Sequence, residues 1–529
     1  MRYPSLMADE AASLAGPVFL SGPVFLSGPM GAGKSTLARE LAARLGVPAV
    51  DLDARVEAAA AKPIPRIFAE DGEPAFRALE REAARACLAE PPAVVALGGG
   101  TVTDRATRRA LLRGGVLITL QAAPEELARR VGSGEGRPLL AGDPVAALRR
   151  VLAERAPAYA ECHGVVRTDR EGALEEALRL VRERPVPVPL GERSYAVEIG
   201  VGVRRRLRAR LAGASRAILV ADSNTAPWRD ALAEAGDVRV DLEEGEAHKD
   251  VAAVARIWDA ALDASVDRRA CVVAVGGGVV GDLAGFAAAS LLRGVAFGQV
   301  PTSLLAMVDS SVGGKTGFNR AQGKNLVGAF HQPRFVLCDV ETLSTLPAEE
   351  RVAGLAEVLK AAWLDGEAAV AALERDAEAL RAGDEAATIG AIRRSVALKA
   401  RVVEADEREA GQRMVLNLGH TVGHGLEAAA GYGALRHGEA VGLGLVAAAR
   451  VGVALGDLDA EQAGRLERLV GALGLPVDLD RRLDEAVWGF VGADKKRAGA
   501  QIRFVVPGPP GTTRIAPLSV EAIRAAVAV

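Results

Sequence analysis

Cysteine is scarce, with four residues in 529 (Cys87, Cys162, Cys271 and Cys338) and no CxxC pair among them. That spacing excludes a disulfide framework and a cysteine-built zinc site, and a cytoplasmic setting is expected. A charge excess of either sign is missing too, since 65 Lys+Arg face 68 Asp+Glu for a net charge of −3. Nothing in that balance calls for nucleic acid as a partner. Residues 11–33 carry no charge, yet Gly and Pro interrupt them, they run into Lys34, and only Arg2 precedes them as a basic residue. Neither a membrane span nor a secretory signal is expected. Half the residues are hydrophobic and a quarter charged, which is globular composition and not that of a disordered, collagenous or coiled-coil chain. At roughly 100–200 residues per domain, the length calls for three or four domains.

Lysine is the most informative shortage. Nine of the 65 basic residues are Lys (34, 62, 249, 315, 324, 360, 399, 495 and 496), leaving 56 Arg. Solvated positive charge is therefore written in Arg, and a retained Lys marks a place where a compact ammonium is needed. The motifs below account for every lysine but Lys62.

Short apolar runs alternate with Ala/Leu/Arg/Glu stretches over 24–182, a parallel α/β pattern. A 1–23 extension precedes it and holds GPVFLS at 16–21, copied at 22–27. Residues 183–191, ERPVPVPLG, read as an extended linker. Alternation resumes over 192–348, and 349–529 reads as almost wholly helical.

Gly28-Pro-Met-Gly31-Ala32-Gly33-Lys34-Ser35-Thr36 follows an apolar strand and opens a helix, which is the P-loop pattern in its required context. Successive backbone amides cradle phosphates, Lys34 reaches the terminal ones and Ser35 holds Mg2+. Downstream stand Asp51-Leu-Asp53, Phe76-Arg77-Ala-Leu-Glu80, Gly98-Gly99-Gly100, Arg137-Pro-Leu-Leu and Arg155-Ala-Pro-Ala-Tyr159. In this order and spacing the set resembles shikimate kinase across 24–182. The resemblance implies a P-loop fold with a parallel sheet, ATP with Mg2+, and shikimate as acceptor. It makes Asp51 a Mg2+ partner and Asp53 the catalytic base. Arg77, Arg155 and the Gly98–Gly100 turn would hold shikimate, with Arg137, and Arg130 beside it, in a closing lid.

In the second half Gly276-Gly277-Gly278-Val279-Val-Gly-Asp282 follows a strand, by itself a weak dinucleotide signal. Histidine allows a separate argument. Of six in the chain, three fall within eighteen residues: His420, His424 and His437. His420 and His424 are four apart and share a helix face, which Arg413 and Asn417 are expected to continue backwards. A carboxylate from another helix, with Glu357 as candidate beside Lys360, would complete a two-His, one-acid metal set with an open position.

Together with Asp222, Asn224, Glu246, Lys249, Thr302-Ser303, Asp309, Lys315, Lys324-Asn325 and Lys399, these residues resemble 3-dehydroquinate synthase over about 190–529. The resemblance implies a Rossmann-like α/β NAD-binding domain and a mainly helical metal-binding domain. It assigns Zn2+ or Co2+ to Glu357, His420 and His437, with His424 beside them. NAD would contact Asp222, Asn224, Glu246, Lys249, Gly277, Gly278, Val279, Asp282, Thr302 and Ser303. The substrate, 3-deoxy-D-arabino-heptulosonate 7-phosphate, would contact Asp309, Lys315, Lys324, Asn325, Lys360, Lys399, Arg413, Asn417, His424 and Lys495 or Lys496. Of these, Lys315, Lys360, His424, Arg413 and Asn417 would be catalytic, as would Lys34 and Arg137 in the first half. A homodimer through the synthase half is also implied. The rivals are another sugar-phosphate cyclase, a metal-dependent alcohol dehydrogenase, or a binding protein with one inactive half.

Overall fold

The computed structural model describes residues 20–132, 143–431, 434–493 and 501–528. Two compact units divide the chain between Ala196 and Val197.

The first unit is built on five parallel strands, β1 (Val24–Ser27), β2 (Ala49–Asp51), β3 (Val94–Ala96), β4 (Val116–Gln121) and β5 (Gly164–Arg167), in the order β2-β3-β1-β4-β5. Alternate residues of one strand point to opposite faces. Val24 and Leu26 pack with Leu37 and Leu41 of helix Lys34–Leu45, while Phe25 packs with Val95, Leu117 and Tyr159 on the other face. Both faces are covered, so the strands read as unbroken apolar runs instead of alternating ones. The stretch 183–191 holds a short strand β6 (Val186–Val188), and the backbone N–H of Gly191 donates to the buried Glu161 carboxylate at 3.1 Å.

The second unit has a parallel sheet running β7 (Tyr195–Gly200), β14 (Val336–Asp339), β11 (Ala296–Pro301), β10 (Cys271–Gly276), β8 (Ala217–Asp222) and β9 (Val238–Leu242). Val272 and Ala274 face one core, and Cys271, Val273 and Val275 the other. An antiparallel hairpin, β12 (Lys315–Arg320) and β13 (Gly323–Phe330), leaves this sheet before β14. The later segment is dominated by helices, including Ala348–Asp365, Glu385–Ala405, His420–Ala430 and His437–Ala454. It is not wholly helical, because β15 (Ile502–Pro507) and β16 (Thr513–Leu518) form an antiparallel hairpin. Gly508-Pro-Pro-Gly511 between them supplies the turn, a signal present in the sequence. Among the described residues no helix is long and apolar enough to cross a membrane.

Candidate active sites

In the first unit β1 ends where the phosphate cradle begins. Gly33 stands immediately before helix Lys34–Leu45 at φ 83°, a left-handed conformation that only glycine adopts without strain. The Lys34 ammonium donates to the carbonyls of Gly28 (2.9 Å) and Pro29 (3.0 Å). Ser35 Oγ donates to Asp51 Oδ2 at 2.9 Å, and Asp51 Oδ1 accepts the Asp53 N–H at 3.1 Å. A cleft of about 550 Å³ opens here, lined by Gly31, Gly33, Lys34, Thr36, Asp53 and Gly98 among others, with Ala32 buried beneath.

The Gly98–Gly100 turn is where the remaining groups converge. A Cβ on Gly98 would fall 2.2 Å from Glu80 Oε1 and 3.1 Å from Asp53 Oδ1; one on Gly100 would lie 2.5 Å from the Arg77 guanidinium. Arg155 donates to the Gly99 carbonyl at 2.8 Å. Two participants carry no role in the sequence reading. Glu80, essentially buried, accepts from Arg77 (2.8 Å) and from Thr101 Oγ1 (2.8 Å), and the Tyr159 hydroxyl donates to the Gly99 carbonyl (2.7 Å). Glu80 follows Arg77 by three on one helix face, which was the available signal. Arg130 is held by Glu126 at 2.6 Å and donates to Thr168 and to the Gly31 carbonyl, so it sits against the cradle. Arg137 lies outside the described residues. Burial pulls the Lys34 ammonium down to about 8 against the opposing pull of Asp53 and Asp51. Burial, with the charges of Asp51 and Glu80, raises the Asp53 carboxyl.

In the second unit the nucleotide candidates gather at the carboxyl ends of the parallel strands. Helix Gly278–Ser290 starts directly after β10, and the Thr302 N–H donates to the Gly276 carbonyl at 3.0 Å. A Cβ on Gly277 would stand 3.5 Å from Ser303 Oγ, and one on Gly278 3.2 Å from Ser310 Oγ, with Val279 in the first turn behind them. Backbone can approach a ligand closely there. Asp222 ends β8, where it accepts from Thr225, with Asn224 exposed in the same turn. Buried Lys249 donates to Asp282 (2.6 Å) and to Asn325 Oδ1 (2.6 Å), while Glu246 Oε1 accepts from Asn319 (2.8 Å).

The histidine cluster lies among the helices. Glu357, His420 and His437 each offer a ligand atom, and these atoms lie within 4.8 Å of one another. His420 Nε2 is 3.4 Å and His437 Nε2 3.7 Å from Glu357 Oε1. The His424 ring is 5.2 Å from that of His420 and 5.9 Å from that of His437. Glu357 is buried, and although Lys360 makes an ionic contact with it, neither carboxylate oxygen has a hydrogen-bond donor in bonding geometry. A buried acid in that state facing two imidazoles fits a divalent cation.

Beside the triad, Asp309 sits in a single π turn (Ala306–Ser310), accepts from Lys399 at 2.8 Å and lies 3.8 Å from Lys360. The Lys360 ammonium holds the Glu357 carboxyl below its usual range although burial opposes this, and Glu357 with Asp309 holds Lys360 above its own against the same burial. Burial lowers Lys399 and depresses His420 to about 3, helped there by Lys360. Burial also pulls on His437, but the carboxylates of Glu357 and Glu427 beside it prevail and raise it to about 9. Lys315 pairs with Glu409, and fully buried Arg413 donates to the carbonyls of Glu407 and Gly313 (3.0 Å for the latter).

One sequence expectation is corrected. Arg413 and Asn417 do not continue the His420 helix, because they occupy a separate 3-10 turn, Gln412–Asn417. The helix starts at His420 after Gly419, whose φ of 80° breaks it. That break lets helix His437–Ala454 come so close that a Cβ on Gly444 would lie 1.9 Å from the Gly419 carbonyl. Lys495 and Lys496 lie outside the described residues.

Residues 239–353 match the family model for the N-terminal part of 3-dehydroquinate synthase and 354–497 that for its C-terminal part, while 30–184 match the shikimate kinase model. The 3-dehydroquinate synthase of Geobacter metallireducens is 46% identical over 329 residues, which are 60% of this chain and 91% of that protein. That of Pelotomaculum thermopropionicum is 46% identical over 334 residues, 61% of this chain and 90% of its own. Among solved structures, the 2-epi-5-epi-valiolone synthase ValA of Streptomyces hygroscopicus, with NAD+ and Zn2+ bound, is 26% identical at a TM-score of 0.58, covering 63% of this chain and 96% of its own. Fold and site thus define a Rossmann-like α/β unit with a helical region that carries a candidate metal triad, preceded in the chain by a P-loop unit. The chain belongs to the 3-dehydroquinate synthase family and carries a shikimate kinase domain ahead of it.

Proposed function

We propose that the chain carries out two steps of the shikimate pathway: phosphorylation of shikimate by ATP, and conversion of 3-deoxy-D-arabino-heptulosonate 7-phosphate to 3-dehydroquinate and phosphate. The synthase reading rests above all on the Glu357–His420–His437 triad, set beside the buried ammoniums of Lys360 and Lys399. The test is direct. Purified protein given the heptulosonate phosphate and NAD should release phosphate, and given shikimate and ATP should form ADP. Absence of either reaction overturns that half of the reading.

In the kinase unit Lys34 and the amides of 31–36 take the triphosphate, and Ser35 with Asp51 holds Mg2+. Arg77 and Arg155 grip the shikimate carboxylate as planar forks. Glu80 keeps Arg77 aimed, and Asp53 accepts the proton of the attacking hydroxyl. Its raised carboxyl makes it a better proton acceptor than an ordinary aspartate. Asp53→Asn should bind shikimate and ATP normally but turn over about 10²-fold more slowly or worse, with synthase activity unchanged. Near-normal kinase turnover would remove Asp53 from this role.

Lys34 gives a second check. Phosphate oxygens favour the ammonium and raise its pKa from about 8 on binding. At pH 6 the group is already protonated and binding takes up nothing. At pH 8 about half a proton should be taken up. Calorimetry of MgATP binding in buffers of different ionisation enthalpy measures this, and zero uptake at pH 8 rejects the assignment.

In the synthase unit Glu357, His420 and His437 would hold Zn2+ or Co2+, which supplies a Lewis acid toward substrate hydroxyls. Asp222, Asn224, Glu246, Lys249, the 277–279 turn, Asp282, Thr302 and Ser303 would hold NAD, a temporary electron acceptor. Lys315, Lys324, Asn325, Lys399 and Arg413 bind the two anionic ends of the substrate, with Asp309 and Asn417 fixing its orientation. Lys360 and His424 would act as catalytic groups on the reacting carbons. A cytoplasmic enzyme and a homodimer through the synthase unit belong to the same reading; four free cysteines support the first, and Leu326, Val327 and Phe330 exposed on β13 support the second.

A further inference from the structure

Glu427 plays no part in the sequence reading, yet it joins two pieces of the synthase site. It lies seven residues after His420 and three after His424, on the same face of helix His420–Ala430. Its side chain is largely buried. Oε2 lies 3.2 Å from His437 Nδ1, and Oε1 accepts from Lys324 Nζ at 2.7 Å. Lys324 stands on β13, so one carboxylate ties the hairpin to a metal-facing imidazole.

A neutral imidazole carries its proton on one nitrogen, and the hydrogen bond made there decides which. Once His437 gives up its second proton to take a metal, Nδ1 donating to Glu427 leaves the lone pair on Nε2, the atom turned toward Glu357. His420 is fixed in a different way, since its Nδ1 donates to the Leu418 carbonyl at 3.2 Å. Backbone holds one ligand and a carboxylate holds the other. Only the second can be removed by substitution, and only the second is shared with a residue of the hairpin.

We propose that Glu427 is a positioning residue that sets the tautomer and ring orientation of His437 for a divalent ion, while its other oxygen anchors Lys324 and the β12–β13 hairpin beside the same site. This rests on the metal site proposed above, and its test reads metal affinity without substrate. Zn2+ is titrated into metal-stripped full-length protein against a chromogenic chelator, and Co2+ is added separately to record its visible absorption.

Loss of a carboxylate behind a ligating imidazole typically weakens metal binding about 10–100-fold. Glu427→Gln should show a loss of that size and an altered Co2+ spectrum, with shikimate kinase activity as the check on soluble, folded protein. Glu427→Asp keeps the charge and the lysine pair but withdraws the oxygen from His437, so it too should bind Zn2+ several-fold more weakly. It stands in if the glutamine variant does not fold. Lys324→Met leaves the His437 contact in place and should keep Zn2+ affinity within about threefold of wild type, while raising KM for the heptulosonate phosphate. Wild-type affinity in both Glu427 variants overturns the proposal. So does a loss in Lys324→Met as large as that in Glu427→Gln, because the carboxylate would then act through the hairpin. Failure of the wild type to bind Zn2+ at all would instead overturn the metal site itself, and this inference with it.

Discussion

His437→Ala is expected to empty the second unit of its divalent ion and to abolish synthase turnover in the same step. Glu357 and His420 would remain, and two ligands rarely retain zinc against competing buffer where catalytic sites use three. The Lewis acid is worth several kcal/mol of transition-state stabilisation, so the fall should be about 10³-fold or more. Excess Zn2+ should restore little, since the substituted side chain offers no donor. The kinase assay should be unchanged, because every group of that site lies before residue 197. Metal analysis and both activities on one preparation decide it. A variant that keeps its metal would show that the ligand set is wrong, and one that loses metal but not activity would show that the ion takes no part in catalysis.

The parts of this molecule legible in its sequence are those written locally. Lys34 and Ser35 follow a strand and three glycines, so phosphate chemistry is encoded within a dozen residues. The histidines were legible because six in 529 leave little room for accident when three cluster. What escaped depends on contacts distant in sequence or on local breaks in the backbone. Arg413 and Asn417 have the right spacing to extend the His420 face, but their own 3-10 turn, an extended Leu418 and the left-handed Gly419 separate them from that helix. Spacing arguments assume an unbroken helix and fail where glycine breaks it. The hairpin β12–β13 was hidden because its residues are spread through motifs rich in Gly, Lys and Asn, with no apolar alternation to mark strands. Glu427 and Glu80 were missed for another reason. Both support a residue that was recognised, and a supporting carboxylate has no signature beyond helical spacing from its client.

Lys360 provides the other large effect, and here the lysine shortage can be tested. Its ammonium is buried between the carboxylates of Glu357 and Asp309, and Lys399 pairs with the same Asp309 oxygen. Removing it in Lys360→Met leaves the buried Glu357 carboxylate without an ammonium, while Lys399 stays paired to partly buried Asp309. Breaking a buried pair from one side costs about 3–5 kcal/mol, since the surviving charge stays desolvated. The metal-free variant should therefore unfold at much lower denaturant than wild type. A divalent ion returns positive charge to Glu357, so Zn2+ should raise the variant's midpoint by more than it raises that of wild type. Synthase activity should be lost even with metal restored. Lys360→Arg separates charge from shape: it keeps the positive charge and the metal, but a planar fork must fit where an ammonium now sits wholly enclosed, and activity should still fall. Lys62→Arg is the control, because among the described residues Lys62 pairs with Glu70 and Asp71 alone, at the surface, where a guanidinium serves equally well. It should be silent in both assays. If Lys360→Arg were equally silent, the choice of lysine at that position would carry no chemical meaning, and the shortage of lysine would reflect codon composition alone.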